Sequence, residues 1–157
     1  MRCMGLDIGD KTIGIALSDP LFISAQGIGT IERIGIRKDA DKVLKIAEEH
    51  EVVTIVSGLP LMLSGDDSPQ TAKVREFVNM MENKARSTGL KLKFEFQDER
   101  FTTKIAESVL IEGDLSRKKR RKIIDRQAAV VILQSYLERR RNEEARNAFA
   151  DKSESSE

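Results

Sequence analysis

Apolar and polar positions along the chain fall into two periods, and the period changes mark the elements. Arg2–Leu6 and Ile13–Ser18 are short apolar runs joined by a turn rich in glycine and polar residues, and Gln26–Glu32 is a third such run, carrying Ile28 and Ile31 between glycines. Three short runs in succession predict an antiparallel meander. From Ile36 the apolar positions move to three- and four-residue spacing (Ile36, Ala40, Val43, Leu44, Ala47), which predicts an amphipathic helix ending near His50. Val52–Val56 is a β-branched run suited to a strand buried on both faces of a parallel sheet. Ser68 and Pro69 then supply a side-chain cap and a first-turn proline for a second helix, with Val74, Phe77, Val78, Met81 and Ala85 as its inner stripe. Leu90–Phe96 alternates apolar with charged residues, as a strand with one buried face does. A short helix capped by Thr102 or Thr103 and closed at Gly113 follows, and Ser116 opens a long helix running to about Arg141.

This order of elements predicts an α/β fold. Its mixed five-stranded sheet has three antiparallel and then two parallel strands, with helices on both faces. At 157 residues the chain suits one domain, residues 1–141. Residues 142–157 are rich in Ala, Glu, Asn and Ser, and are expected to form a charged, disordered tail.

Composition narrows the chemistry. One cysteine (Cys3) and one histidine (His50) build neither a disulfide framework nor a zinc site, so any metal must be a hard cation held by oxygen. The net charge of +1 conceals a concentration of six cations, Arg117, Lys118, Lys119, Arg120, Arg121 and Lys122, in the first turns of the last helix. Cations at a helix N-terminus oppose its dipole, and a bound polyanion would reverse that penalty. A solvated basic face is the alternative. With aromatic residues at 4%, base stacking on an aromatic platform is not expected, and recognition would run through backbone and shape. No apolar run reaches the length of a membrane span and no signal-peptide pattern opens the chain, so a cytoplasmic protein without membrane contact is expected.

Carboxylates gather where strands end. Asp7 closes the first strand, with Gly9 two residues on; Asp98 and Glu99 close the fifth. Ligands of such sheets sit beyond the carboxyl ends of strands. Asp125 lies in line with Ala128, Ala129, Ile132 and Tyr136 on an otherwise small, apolar helix face, which should pack on the sheet. Taken singly, Asp7 also suits a turn, Asp98 and Glu99 a turn and cap, and Asp125 a salt bridge. Together they suit Mg²⁺ or Mn²⁺, which prefer oxygen ligands. Two such ions roughly 4 Å apart would stabilise the attacking and leaving oxygens of phosphodiester hydrolysis. Lys11, Arg100 and the 117–122 run would neutralise substrate phosphates.

The stretches LDIGDKTIGIALSD, SGLP, DERFTT and IIDRQAAVVILQSYL, in that order, resemble the YqgF family over residues 2–138. These are bacterial RNase H-like proteins described as pre-16S rRNA nucleases or as Holliday-junction resolvase-like. The resemblance implies an RNase H-like fold, a divalent-metal nuclease and a role in maturing the 5′ end of 16S rRNA. It places the acidic site on Asp7, on Glu99 with Asp98 beside it, and on Asp125. Two places depart from the family pattern. Thr12 stands where a basic residue is common, and Met62-Leu63-Ser64-Gly65 replaces Asn-Met-Asp-Gly. The expected partner is structured RNA of the pre-ribosome, acted on by a monomer or homodimer. Resolution of branched four-way DNA is the first alternative, and metal-independent RNA or transcription-complex binding the second. An Asp-x-Gly hairpin also opens actin-like ATPases, but those need two such domains, more than this length holds.

Overall fold

The computed structural model describes residues 1–99 and 117–155, with side chains described over 1–99 and 126–150. The elements are β1 (Arg2–Ile8), β2 (Thr12–Ser18), β3 (Ala25–Glu32), α1 (Ile36–Glu49), β4 (Val52–Leu59), α2 (Pro69–Thr88), β5 (Lys93–Asp98) and α3 (Arg117–Ser155). The strands form one sheet in the order β3-β2-β1-β4-β5. β1 pairs antiparallel with β2, and β2 with β3, whereas β4 runs parallel to both β1 and β5. The mixed sheet expected from the pattern is present. The short helix expected over 102–113 and its cap lie outside the described residues, as does Ser116.

Each face of the sheet carries its own core, because side chains alternate along a strand. Met4, Leu6, Ile8, Ile13 and Ile15 pack under α1 and α2 with Val43, Phe77 and Met81. Cys3, Ala16 and Val56 pack on the other face under Ala129, Ile132, Leu133 and Tyr136 of α3. A stripe of small residues lets α3 approach this second face. Gly5, Ala16 and Gly27 are register partners across β1, β2 and β3. A Cβ on Gly5 would lie 2.7 Å from Leu133 Cβ and 2.9 Å from the Ala129 carbonyl oxygen, and one on Gly27 would lie 2.5 Å from Arg126 Cγ.

In β3, Ile28 is 44% exposed while Ile31 is buried. Ile15 pairs with Gly29 and Ala16 with Gly27, so Ile28 is the extra residue of a β-bulge and points away from the ladder. α1 lacks a side-chain cap; its N-cap is Gly35. Asp39, fully buried within its first turns, instead accepts hydrogen bonds from the Ile34 and Gly35 amides at 3.0 and 3.3 Å. Burial by itself would raise the Asp39 pKa, but those amides and Arg33 outweigh it and hold the carboxyl below its ordinary value.

α2 starts as its sequence predicts. Ser68 accepts from the Thr71 amide at 3.2 Å, and Thr71 Oγ1 accepts from the Ser68 amide at 2.9 Å. Ser68→Ala should lower stability by about 1 kcal/mol, read as a shift of the urea midpoint without a change in slope.

The last helix departs from expectation. It does not end near Arg141 but continues to Ser155, so residues 142–155 are helical rather than disordered. Their apolar content cannot build a core, as expected, and residues 141–150 are exposed. Local terms suffice for helix, however: Ala, Glu and Arg are good helix formers, and Arg140 pairs with Glu144 one turn on at 3.4 Å. Among the described residues no helix is long and apolar enough to cross a membrane.

Candidate active site

β1 and β4 are central and parallel, and they end side by side. Leu6 pairs with Ser57, and Leu59 in turn with Asp98 of β5. Asp7 is therefore one residue past the Leu6–Ser57 pair, with β4 between it and the end of β5. Alternation from Gly5, which abuts α3, puts Asp7 on the α3 face of β1. On β5, Glu95 shares a hydrogen bond with Tyr136 of α3, so Gln97 and Glu99 fall on that same face by alternation, and Asp98 on the other. Glu99 continues the β4–β5 ladder, its amide donating to the Leu59 carbonyl at 3.3 Å.

The Glu99 carboxylate lies over Gly58 of β4. A Cβ on Gly58 would come within 2.5 Å of Glu99 Oε2 and closer still to Ile132 Cδ1. Only a glycine here leaves room for the carboxylate between the strand and α3. Burial, then the charge of Asp7, then that of Asp98 push the Glu99 carboxyl up from 4.5 to about 8. Of the four acids expected from the sequence, Asp7, Asp98 and Glu99 thus lie near one another at one end of the sheet.

Asp125 is on the helical backbone of α3, one turn before Ala128 and Ala129, which are buried against the sheet. Its side chain lies outside the described residues. The same holds for Arg100 and for the side chains of Arg117, Lys118, Lys119, Arg120, Arg121 and Lys122, whose backbone forms the first turns of α3. Lys11 is exposed on the β1–β2 turn, beside Asp7 in the hairpin.

The donor set fits a hard divalent cation. It is all oxygen, and a carboxylate held near pKa 8 by burial and by its acidic neighbours would be relieved by positive charge. Among the described residues alone, no group of three or more acidic, His or Cys side chains closes into a metal shell. Asp125, the one acid of α3 that precedes Ala128 in sequence, is the candidate for a further oxygen donor.

Sequence reasoning missed two further groups here. Gln97 Oε1 and Ser57 Oγ are buried with no hydrogen-bond partner among the described residues. A buried unpartnered acceptor costs about 1–3 kcal/mol, and both flank Gly58. The sole signal was their position inside the SGLP and DERFTT surroundings. Two clefts, of about 370 and 270 Å³, lie instead towards the start of β5, by Leu90 and Phe94 and by Lys93 and Tyr136.

Known proteins resemble this chain along most of its length. A protein of Clostridium botulinum (strain Hall), whose name proposes pre-16S rRNA nuclease activity, is 49% identical over 138 residues, 88% of this chain and 97% of that protein. A Clostridium kluyveri protein of the same name is 48% identical over 139 residues, 88% and 98% of the two chains. Among solved structures, Thermus thermophilus RuvC in complex with a Holliday junction substrate superposes with a TM-score of 0.56 at 12% identity, over 89% of this chain and 95% of that one. The fowlpox virus resolvase bound to Holliday junction DNA gives 0.54 at 17% identity, over 88% and 97%. At such identities the structural likeness speaks for the fold, which is the RNase H-like fold of these resolvases. Residues 1–139 match the RuvX family, described as Holliday junction resolvase, and with nearly half of its residues shared with the clostridial nucleases over most of its length, the chain belongs to that family of nucleases.

Proposed function

We propose that this protein is a divalent-metal-dependent endonuclease that cuts phosphodiester bonds in structured RNA, in the 5′-end maturation of 16S rRNA in the cytoplasm. The observation that carries this reading is the meeting of Asp7, Asp98 and Glu99 on one edge of the sheet, with Glu99 seated over Gly58 and its proton held to about pH 8. Asp7, Glu99 and Asp125 would hold Mg²⁺ or Mn²⁺, with Asp98 a further ligand or an orienting neighbour. When bound, such an ion supplies positive charge where the phosphodiester oxygens develop negative charge. The protein's own part is to present carboxylates on rigid strand ends and to hold them close despite their repulsion. Lys11, Arg100 and the 117–122 cations bind substrate phosphates, so affinity should fall with salt and flatten when several are removed.

The clostridial relatives support an RNA substrate by name, and the solved neighbours support branched DNA by what they bind. The RNA reading is preferred because it comes from relatives at 49% rather than 12% identity. The experiment is side-by-side cleavage of precursor 16S rRNA and a four-way DNA junction with Mg²⁺, Mn²⁺ or chelator. Asp7→Asn should lower metal-dependent cleavage by roughly a hundredfold or more, since a ligand's charge is lost at the reacting centre. Full activity in Asp7→Asn would sink the site assignment. Junction cleavage by a dimer with intact rRNA precursor would move the function to resolution, and Mg²⁺-independent binding without cleavage would make the protein a binder.

A further inference from the structure

The turn between Asp7 and Thr12 is held from outside its own hairpin. The Gly9 amide donates to the Thr12 carbonyl at 2.9 Å, which closes the turn. Further contacts reach it from elsewhere in the chain. The Arg33 amide donates to the Lys11 carbonyl at 2.8 Å, Arg33 Nη1 to the Gly9 carbonyl at 3.0 Å, and Gln70 Nε2 of α2 to the Ile8 carbonyl at 3.3 Å. Arg33 is itself fixed. Its Nε donates to Asp39 Oδ2 at 3.1 Å, its guanidinium lies 5.2 Å from the centre of the Phe77 ring, and the two paired side chains are 18% and 0% exposed.

The guanidinium thus spans two acceptors that lie in different directions, a buried carboxylate and the carbonyl two residues past Asp7. A planar fork can serve both at once; a lysine ammonium on a flexible stem has no such fixed geometry. The Asp39 ion pair alone would suffice to tie α1 to the sheet, so the bond to Gly9 is not explained by holding α1. What it holds is the backbone that carries Asp7 at one end and Lys11 at the other. Displacing a catalytic group by about 1 Å can cost roughly a hundredfold in rate.

We infer that Arg33, anchored by Asp39 and Phe77, is a positioning residue that fixes the Asp7–Lys11 turn for catalysis, with Gln70 bracing the same turn from α2. The inference rests on the functional reading above as far as catalysis is concerned, and on the hydrogen bonds alone as far as the turn is concerned.

The test compares Arg33→Lys and Arg33→Met with Val43→Ala, a change at a fully buried apolar position of α1. Three readouts are taken: Tm, amide exchange of Gly9 and residue 33 in metal-free protein by NMR, and the kcat and KM of cleavage. Arg33→Lys keeps the charge beside Asp39 and should hold its Tm within a few degrees. Its two turn amides should exchange about tenfold faster or more, and kcat should fall by roughly ten- to a hundredfold with KM little changed. Val43→Ala should lower Tm with neither effect. Unchanged turn exchange in both Arg33 variants, or the same exchange and kcat losses in Val43→Ala, overturns the inference. Should the wild-type protein cleave neither nucleic acid, the functional reading fails on its own, and the exchange comparison still decides whether Arg33 holds the turn.

Discussion

Glu99→Gln should make the metal-free protein more stable at alkaline pH while removing its cleavage activity. In the unfolded chain this carboxyl ionises near 4.5; in the fold, burial with Asp7 and Asp98 beside it moves ionisation to about 8. Between those values the native state binds a proton that the unfolded state has released, so stability falls as pH rises. The contribution is intact below about pH 4.5, declines through the neutral range, and is gone once pH passes 8. Glutamine keeps the shape and has no proton to lose. Thermal melts of chelated protein from pH 6 to 9 should therefore slope downward for the wild type and lie flatter for Glu99→Gln. Mg²⁺ or Mn²⁺ should raise the wild-type Tm most at the upper end of that range, where the ion and the ionised carboxylate favour each other, and should raise the variant's Tm less. Cleavage by the variant should drop by roughly two to three decades, as when a charge-stabilising group is removed from an active site. A wild-type slope that survives in Glu99→Gln would place the titrating proton elsewhere.

Gly5→Ala should be nearly as damaging to the fold as Glu99→Gln is to the chemistry. The new methyl would sit 2.7 Å from Leu133 Cβ and 2.9 Å from the Ala129 carbonyl oxygen. Neither atom can swing aside, because one is a Cβ and the other is helix backbone, so α3 must lift off the sheet. Overpacking of that kind costs about 1–3 kcal/mol, or roughly 3–10 °C in Tm for a domain of this size. Gly27→Ala makes the useful contrast. Its nearest contacts are Cγ and Cδ of Arg126, an exposed and flexible side chain that can move, so the loss should stay within about 1 kcal/mol. Equal melting points for the two alanine variants would show that α3 is not seated on Gly5. Lifting α3 also moves the segment that carries Asp125, so Gly5→Ala should lose cleavage as well as stability.

Much of the fold was legible because local pattern and global packing agree. The β-branched run at Val52–Val56 lies in β4, parallel to β1 and β5. Ser68-Pro69 begins α2, and His50 is the C-cap of α1. The exceptions have local causes that periodicity does not encode. Ile28 is exposed because a bulge inserts it between paired residues. Residues 142–155 are helical because helix propensity and one ion pair need no core.

For the site, sequence alone supplied the candidate groups: carboxylates at the ends of the first and last strands and a single histidine and cysteine, which leaves oxygen as the donor for any metal. Strand ends are recognisable from composition, and a run of donors of one type restricts the cation. Tertiary structure decided where each acid sits. Asp98 and Glu99 are neighbours in sequence, but alternation turns Glu99 alone to the face shared with Asp7 and α3, and Gly58 gives it room. Arg33 and Asp39 look like ordinary surface charges beside a helix start. They become a brace for the Asp7 turn only because β3 returns the chain to that end of the sheet, where the Gly9 carbonyl and the Phe77 ring meet the guanidinium. A sequence states which groups are available. Which of them share a face, a cavity or a hydrogen bond depends on register and on the approach of α3, and these follow from packing between segments far apart in the chain.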